Sequence, residues 1–284
     1  AVMPSGADSV VMQEDVVVGN GAITIPSRLK LGSNRRLQGE DNKAGDIALK
    51  RGQRLRPQDL GLAASVGHGE LTVYRPLRVG VFSTGDELTE PGDALSVGAV
   101  YDANRHILMS LIAGLGAEVS DLGILPDEAA AVREGLSKAV KDHDLLLTSG
   151  GVSVGNEDHV RDAVEALGHL HFWRLAIKPG RPLALGQVGD TAFVGLPGNP
   201  VAATVCFIRF TRPLILGLAG ATDCEPVLYR VTADFNYEKK AGRREWLRAR
   251  LEHEPGHAPI AVLFRPQGSG IINSLVQTHG LVEI

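Results

Sequence analysis

Cysteine is almost absent from this chain. Cys206 and Cys224 are its two cysteines, too few for a disulfide framework or a cysteine metal centre, and in keeping with a reducing cytoplasm. His68, His106, His143 and His159 show no metal-ligand spacing and read as surface or core side chains. No run of lysine and arginine marks a basic groove, and a formal net charge of -4 argues against a nucleic-acid partner. The most apolar stretch, Val201 to Ala219, is broken by Arg209 and Arg212, so no membrane span is expected. Neither GxGxxG nor GxxxxGK(S/T) occurs at a strand end, which excludes standard dinucleotide and Walker-type sites.

What remains is an ordinary globular balance, 44% hydrophobic and 22% charged over 284 residues, enough for two or three domains. Residues 1–75 are dense in turn signals. Ala7 to Val18 reads as two short strands, "GAITI" as another, and Arg56 to Ser65 as a short helix begun at Pro57. Residues 76–220 alternate strand and helix. "LRVGVFSTG" is a strand, Asn104 to Gly116 a helix, "AEVSDLGIL" a strand, and Asp127 to Lys141 a helix. "DLLLTSGG" follows as a strand, Glu157 to Leu167 as a helix, and "LHFWRLAI" and "TAFVGL" as strands, Phe172 and Trp173 being core. A last helix starts at Pro200 with Asn199 as N-cap. Such alternation predicts an α/β class with an open, mostly parallel three-layer α/β/α domain. Residues 221–284 read as a small C-terminal β domain, barrel-like in its run of strands.

Ligands of parallel α/β sheets bind outside the carboxyl ends of the strands, and four suspicious turns fall there. "STGDEL" carries Ser83, Thr84 and Gly85; "TSGGVSVGNED" carries Ser149, Gly150, Gly151 and Ser153. "IKPGRP" sets Lys178 in a stiff turn with Pro179, Gly180 and Arg181, and "GLPGNP" leads through Pro197, Gly198, Asn199 and Pro200 into a helix. Together they predict a phosphate site built from backbone N–H groups and one lysine. Glu87, Asp127 and Asp158 each follow a strand, and three carboxylates sharing one edge suit Mg²⁺. Helix-terminus capping is the rival reading for Asp127 and Asp158.

At these segments the chain resembles the molybdopterin molybdenumtransferase family, the bacterial MoeA proteins and the gephyrin E domain. The resemblance is carried by "VFSTGDEL", "DLLLTSGGVSVGNEDHV", "FWRLAIKPGRPLALG" and "GLPGNPVAA", in that order, with "MPSGADSVVMQED" and "GEDNKAGD" upstream and "GRREWLRARL" and "QGSG" downstream. It implies a cytoplasmic homodimer that inserts molybdate into adenylylated molybdopterin and releases AMP in a Mg²⁺-dependent way. It also implies that Glu87, Asp127, Asp158 and Lys178 are catalytic, the three acids holding the metal. Pro197 and Pro200 match site prolines, Asp41 an acid from the β-rich part, and Arg248 and Ser269 polar positions of the C-terminal domain. Arg174 stands where the family commonly has lysine, keeping the charge but changing its geometry. The threonine-glycine segment expected before Ala1 and the final barrel strands are not in the chain, so a fragment is expected. Two rival readings are a molybdopterin adenylyltransferase, which would consist of the central domain alone, and a non-catalytic dimeric scaffold. Contact with the adenylyltransferase is a further expectation.

Overall fold

A computed structural model describes residues 2–151, 159–253 and 255–284, without the side chains of Phe172 and Trp173. The expectations for Ser153, Glu157 and Asp158, and for those two aromatic side chains, fall outside what is described. The chain divides into two compact units, residues 1–51 with 55–71, and residues 52–54 with 72–284.

In the N-terminal unit, β1 (Val17–Gly19) pairs antiparallel with β2 (Ala22–Thr24). Asn20 and Gly21 join them with φ values of 46° and 75°, the left-handed pair that a tight hairpin requires. Two strands were expected across Ala7 to Val18, but only its end, from Val17, is a strand. The polar Gln13–Asp15 instead closes a 3₁₀ turn, its Asp15 amide donating to the Met12 carbonyl. Helix α1 (Pro57–Ser65) opens on proline, and the Asp59 carboxylate accepts from the Arg56 amide at 2.8 Å.

The larger unit is built on a six-stranded sheet. Its parallel part comprises β3 (Arg78–Thr84), β6 (Glu118–Leu125), β7 (Leu145–Ser149) and β11 (Thr191–Leu196). Beyond β11 come β10 (Pro182–Val188), antiparallel to both neighbours, and β8 (Gly168–Arg174) at the edge. The spatial order is β6-β3-β7-β11-β10-β8. β10 was not anticipated, because Gly186 and Gln187 interrupt its apolar run.

Strand β7 shows why two helical layers are needed: all five residues are buried. Leu145 and Leu147 pack on one face with Leu108 and Ile112 of α2 (Ala103–Ala113) and with Val201 and Val205 of α5 (Pro200–Cys206). Leu146 packs on the other, with Val132 and Leu136 of α3 (Ala129–Ala139) and Val160 and Val164 of α4 (His159–Leu167). This is the expected three-layer α/β/α arrangement. Helix α5 continues through a π-helical turn, Phe207–Thr211, into α6 (Arg212–Leu218). Contrary to expectation, this run of 19 residues reaches the length and mean hydropathy, 1.6, of a membrane span. It is 56% buried, however, and Val201, Val205, Phe207 and Ile215 belong to the core.

The short strands β4 (Leu88–Thr89) and β5 (Val100–Tyr101) pair beside the first catalytic-looking turn. Residues 230–284 supply β12 (Thr232–Ala233), β13 (Arg244–Glu252), β14 (Ile260–Leu263), the single turn α7 (Asn273–Val276) and β15 (Gly280–Glu283), in the order β12-β14-β13-β15. The two-residue β9 (Ile177–Lys178) joins that sheet, pairing parallel with the start of β13.

Candidate functional site

The carboxyl ends of β3, β6, β7 and β11 lie side by side, as parallel pairing demands. Leaving β7, Gly150 and Gly151 take φ values of 92° and 63°, where side chains are strained. A Cβ on Gly151 would also stand 2.6 Å from the Thr84 methyl carbon. That contact is how tightly the first turn packs on the second.

The β7 and β11 turns are stitched together. The Ser149 hydroxyl donates to the Pro197 carbonyl at 2.9 Å, and the Gly150 amide to the Leu196 carbonyl at 3.1 Å. Asn104, in the first turn of α2, donates its amide hydrogens to Ser149 Oγ and to the Gly198 carbonyl, at 2.8 and 2.6 Å. Among the described residues, two of the amides near the expected phosphate turns have partners. The Gly150 N–H already has a carbonyl partner, Ser149 is buried and committed to the turn, and the Val201 amide donates to the Ser269 carbonyl at 3.0 Å. Asn199 makes no side-chain cap, although Pro200 does open α5. Local hydrogen bonding thus engages the Gly150 and Val201 amides and the Ser149 hydroxyl.

The cations are better placed than the amides. A cavity of about 680 Å³ is lined by Gly150, Gly151, Lys178, Pro179, Gly180, Arg181, Pro197, Gly198, Asn199, Arg248 and Ser269, all anticipated, together with Arg243, Trp246 and Gln267, which were not. Arg248 is buried at 1% exposure. Its Nε donates to Ser274 Oγ at 3.1 Å and its Nη2 to the Gly268 carbonyl at 3.0 Å. Among the described residues it forms no ion pair, and burial pushes its pKa down from the ordinary arginine value. A buried guanidinium held by neutral groups, in the lining of a cavity, has its charge uncompensated by a carboxylate among the described residues, and charge-assisted hydrogen bonds to an anion are strong in such surroundings.

Lys178 is paired. Its ammonium donates to the Tyr237 hydroxyl at 3.0 Å and to Glu245 Oε2 at 3.1 Å. It therefore does not stand alone as the notional free cation of its turn. Cys206, whose thiol meets the Gly180 carbonyl at 3.5 Å, is buried, and burial pushes that thiol up to about 12.

The remaining predicted residues form a second group. Ser83 and Thr84 are buried at the end of β3, and Thr84 Oγ1 donates to Asp127 Oδ1 at 3.3 Å. The Glu87 carboxylate folds back over Gly85, where an added Cβ would meet Oε2 at 2.7 Å. Two carboxylates thus gather at one turn. Among the described residues no three His, Cys, Asp or Glu side chains could hold a metal, and the expected third acid, Asp158, lies outside them. Neither these residues nor Arg174 and Pro200 line the cavity. Asp41 is exposed in the N-terminal unit. The unanticipated residues had unequal signals. Trp246 and Arg248 stand two residues apart on β13, so period-2 reading puts them on one face; Asn104 reads only as a helix start.

Three family descriptions match the chain: MoeA N-terminal region (domain I and II) over residues 1–67, probable molybdopterin binding domain over 80–217, and MoeA C-terminal region (domain IV) over 230–284. The chain is 44% identical to the molybdopterin molybdenumtransferase of Haemophilus influenzae, across its whole length and 71% of that protein. Against the molybdopterin molybdenumtransferase of a Nostoc species the identity is 34%, covering all of this chain and 66% of that one. A solved molybdopterin biosynthesis moeA protein from Pyrococcus horikoshii OT3 superposes with a TM-score of 0.76 at 29% identity, covering 99% of this chain and 68% of the other.

Proposed function

Since the chain belongs to the molybdopterin molybdenumtransferase family, we propose that it inserts molybdate into adenylylated molybdopterin and releases AMP, acting as a cytoplasmic homodimer. The observation that carries this reading is Arg248, buried, without a carboxylate among the described residues, and facing the cavity. With Lys178, Arg181 and Arg243 it supplies the cavity's cationic lining, while Ile177, Pro197, Trp246 and Leu247 offer apolar surface for a flat ring system. A ligand with a heteroaromatic part and phosphates matches both kinds of lining. Cationic side chains fix the phosphates and stabilise charge that grows on the departing AMP.

Mg²⁺ is assigned to the second group, a reading supported by the two carboxylates at the Thr84–Gly85 turn. Glu87 and Asp127 would hold it, with Asp158, as hard oxygen ligands, and the ion would neutralise charge on the phosphoanhydride. Thr84 keeps Asp127 in place through its hydroxyl. Arg174, Ser269 and Asp41 are assigned to the substrate. The adenylyltransferase that makes the substrate is the proposed partner for its delivery.

The three-part match, with regions flanking the central domain on both sides, favours this reading over the adenylyltransferase one. The two carboxylates at the Thr84–Gly85 turn favour it over a scaffold without catalysis. The test is incubation with adenylylated molybdopterin, molybdate and Mg²⁺, following AMP. Release that requires all three supports the proposal; no release, in a protein that binds AMP, points to the scaffold.

A further inference from the structure

Lys178, Tyr237 and Glu245 form a closed triangle at the cavity's edge. Besides the two bonds from the ammonium, the Tyr237 hydroxyl donates to the same Glu245 Oε2, at 2.6 Å. The Lys178 side chain is 49% exposed, whereas that of Glu245 is 3% exposed. Backbone pairing sets their reach, for Glu245 stands opposite Lys178 in the β9–β13 register. Two of the ammonium's three hydrogens are thereby committed, and one remains for a ligand.

Both partners remain charged at neutral pH. Burial opposes ionisation of Glu245, but hydrogen bonds from Tyr237 and Lys178 outweigh it and hold the carboxyl below its usual range. Tyr237 first, then Glu245, raises the Lys178 ammonium above its ordinary value. The cavity therefore has two kinds of cation: Arg248 without a carboxylate among the described residues, and Lys178 carrying one permanently.

We propose that Glu245 and Tyr237 are positioning residues that hold Lys178 as a donor toward the ligand and compete with the ligand's phosphate for its charge. The proposal rests on reading the cavity as a phosphate site. Its consequence is a phosphate held less tightly than these cations would otherwise allow. A product carrying that phosphate then leaves more easily, which matters for an enzyme whose tightest group would otherwise be retained.

The experiment measures AMP binding by calorimetry, and the Lys178 ammonium by NMR of ¹⁵N-lysine-labelled protein. In the intact protein the ammonium should give its own slowly exchanging signal. Glu245→Gln should remove that signal and tighten AMP binding at least three-fold, with no tightening in a Lys178→Ala background. Tyr237→Phe, which keeps the buried carboxylate and so protects the fold, should weaken the signal and shift affinity less, in the same direction. AMP affinity unchanged or weakened in Glu245→Gln overturns the proposal, as does equal tightening when Lys178 is absent, which would be a through-space effect. If the unaltered protein binds no AMP, the phosphate-site reading falls. The positioning role is then decided by the NMR signal alone: dependence on Glu245 upholds it, and absence or indifference refutes it.

Discussion

The side-chain amide of Asn104 donates to the hydroxyl of Ser149 at 2.8 Å, tying the start of α2 to the end of β7. Because Asn104 also holds the Gly198 carbonyl and Ser149 holds that of Pro197, one amide sets the spacing of the two turns that wall the cavity. Asn104→Ala removes both bonds and should cost about 1–3 kcal/mol in urea unfolding, while weakening AMP binding. Asn104→Asp should be worse on both counts, since a carboxylate faces the Gly198 carbonyl and cannot donate to it. Ordinary stability and affinity in Asn104→Ala would show that the turns hold themselves.

The acids should separate chemistry from folding. Glu87→Gln, Asp127→Asn and Asp158→Asn are nearly isosteric, so each is expected to keep its melting temperature within a few degrees. AMP release should fall roughly ten-fold or more in each, on the order of 1.4 kcal/mol of barrier, because an amide is a poor Mg²⁺ ligand. If capping is the only role of Asp127 or Asp158, the pattern reverses: slightly lower melting and normal turnover.

Gly180 tests the wall beside Lys178. Its φ is +91°, and an added Cβ would stand 2.5 Å from Cys206 Sγ. Gly180→Ala should destabilise by about 2–4 kcal/mol, combining backbone strain with overpacking. Adding Cys206→Ala should recover the overpacking part and leave the strain. Additive losses in the double variant would mean that the sulfur is not the obstacle.

Acid stability should depend on Asp144, which sits between Arg75 and Arg78 at 2.7 and 3.1 Å. Arg75 above all, then Arg78, outweighs the cost of partial burial and holds its carboxyl far below the usual range. A depressed folded-state pKa adds stability that is complete above the unfolded value, about 4, and is lost as pH falls below it. Asp144→Asn should therefore lower stability at pH 7 and flatten its decline below pH 4. A decline of unchanged slope in circular-dichroism melts would locate the acid sensitivity elsewhere.

Much of this protein was legible in order along the chain. Apolar stripes, glycine stops and the prolines at Pro57 and Pro200 mark α1 to α5, and the fully apolar "LLL" of β7 announces a strand covered on both faces. Where strength of local pattern failed, so did the reading: β10 is broken by Gly186 and Gln187, and among the described residues no strand forms before Gln13, where a 3₁₀ turn begins. Turn chemistry likewise located the four loops, because glycine, proline and hydroxyl side chains act on their immediate neighbours. What those loops' donors do was decided in three dimensions. The Gly150 and Val201 amides found carbonyls from Leu196 and Ser269, partners that no local rule connects to them. The cavity's cations are likewise a tertiary matter: Lys178 meets Glu245 through the parallel pairing of β9 with β13, and Arg248 joins the lining from the same strand β13. Periodicity records which face a residue takes. Which distant strand it meets depends on the packing of the whole unit, and that packing left Arg248 buried without a counter-charge among the described residues.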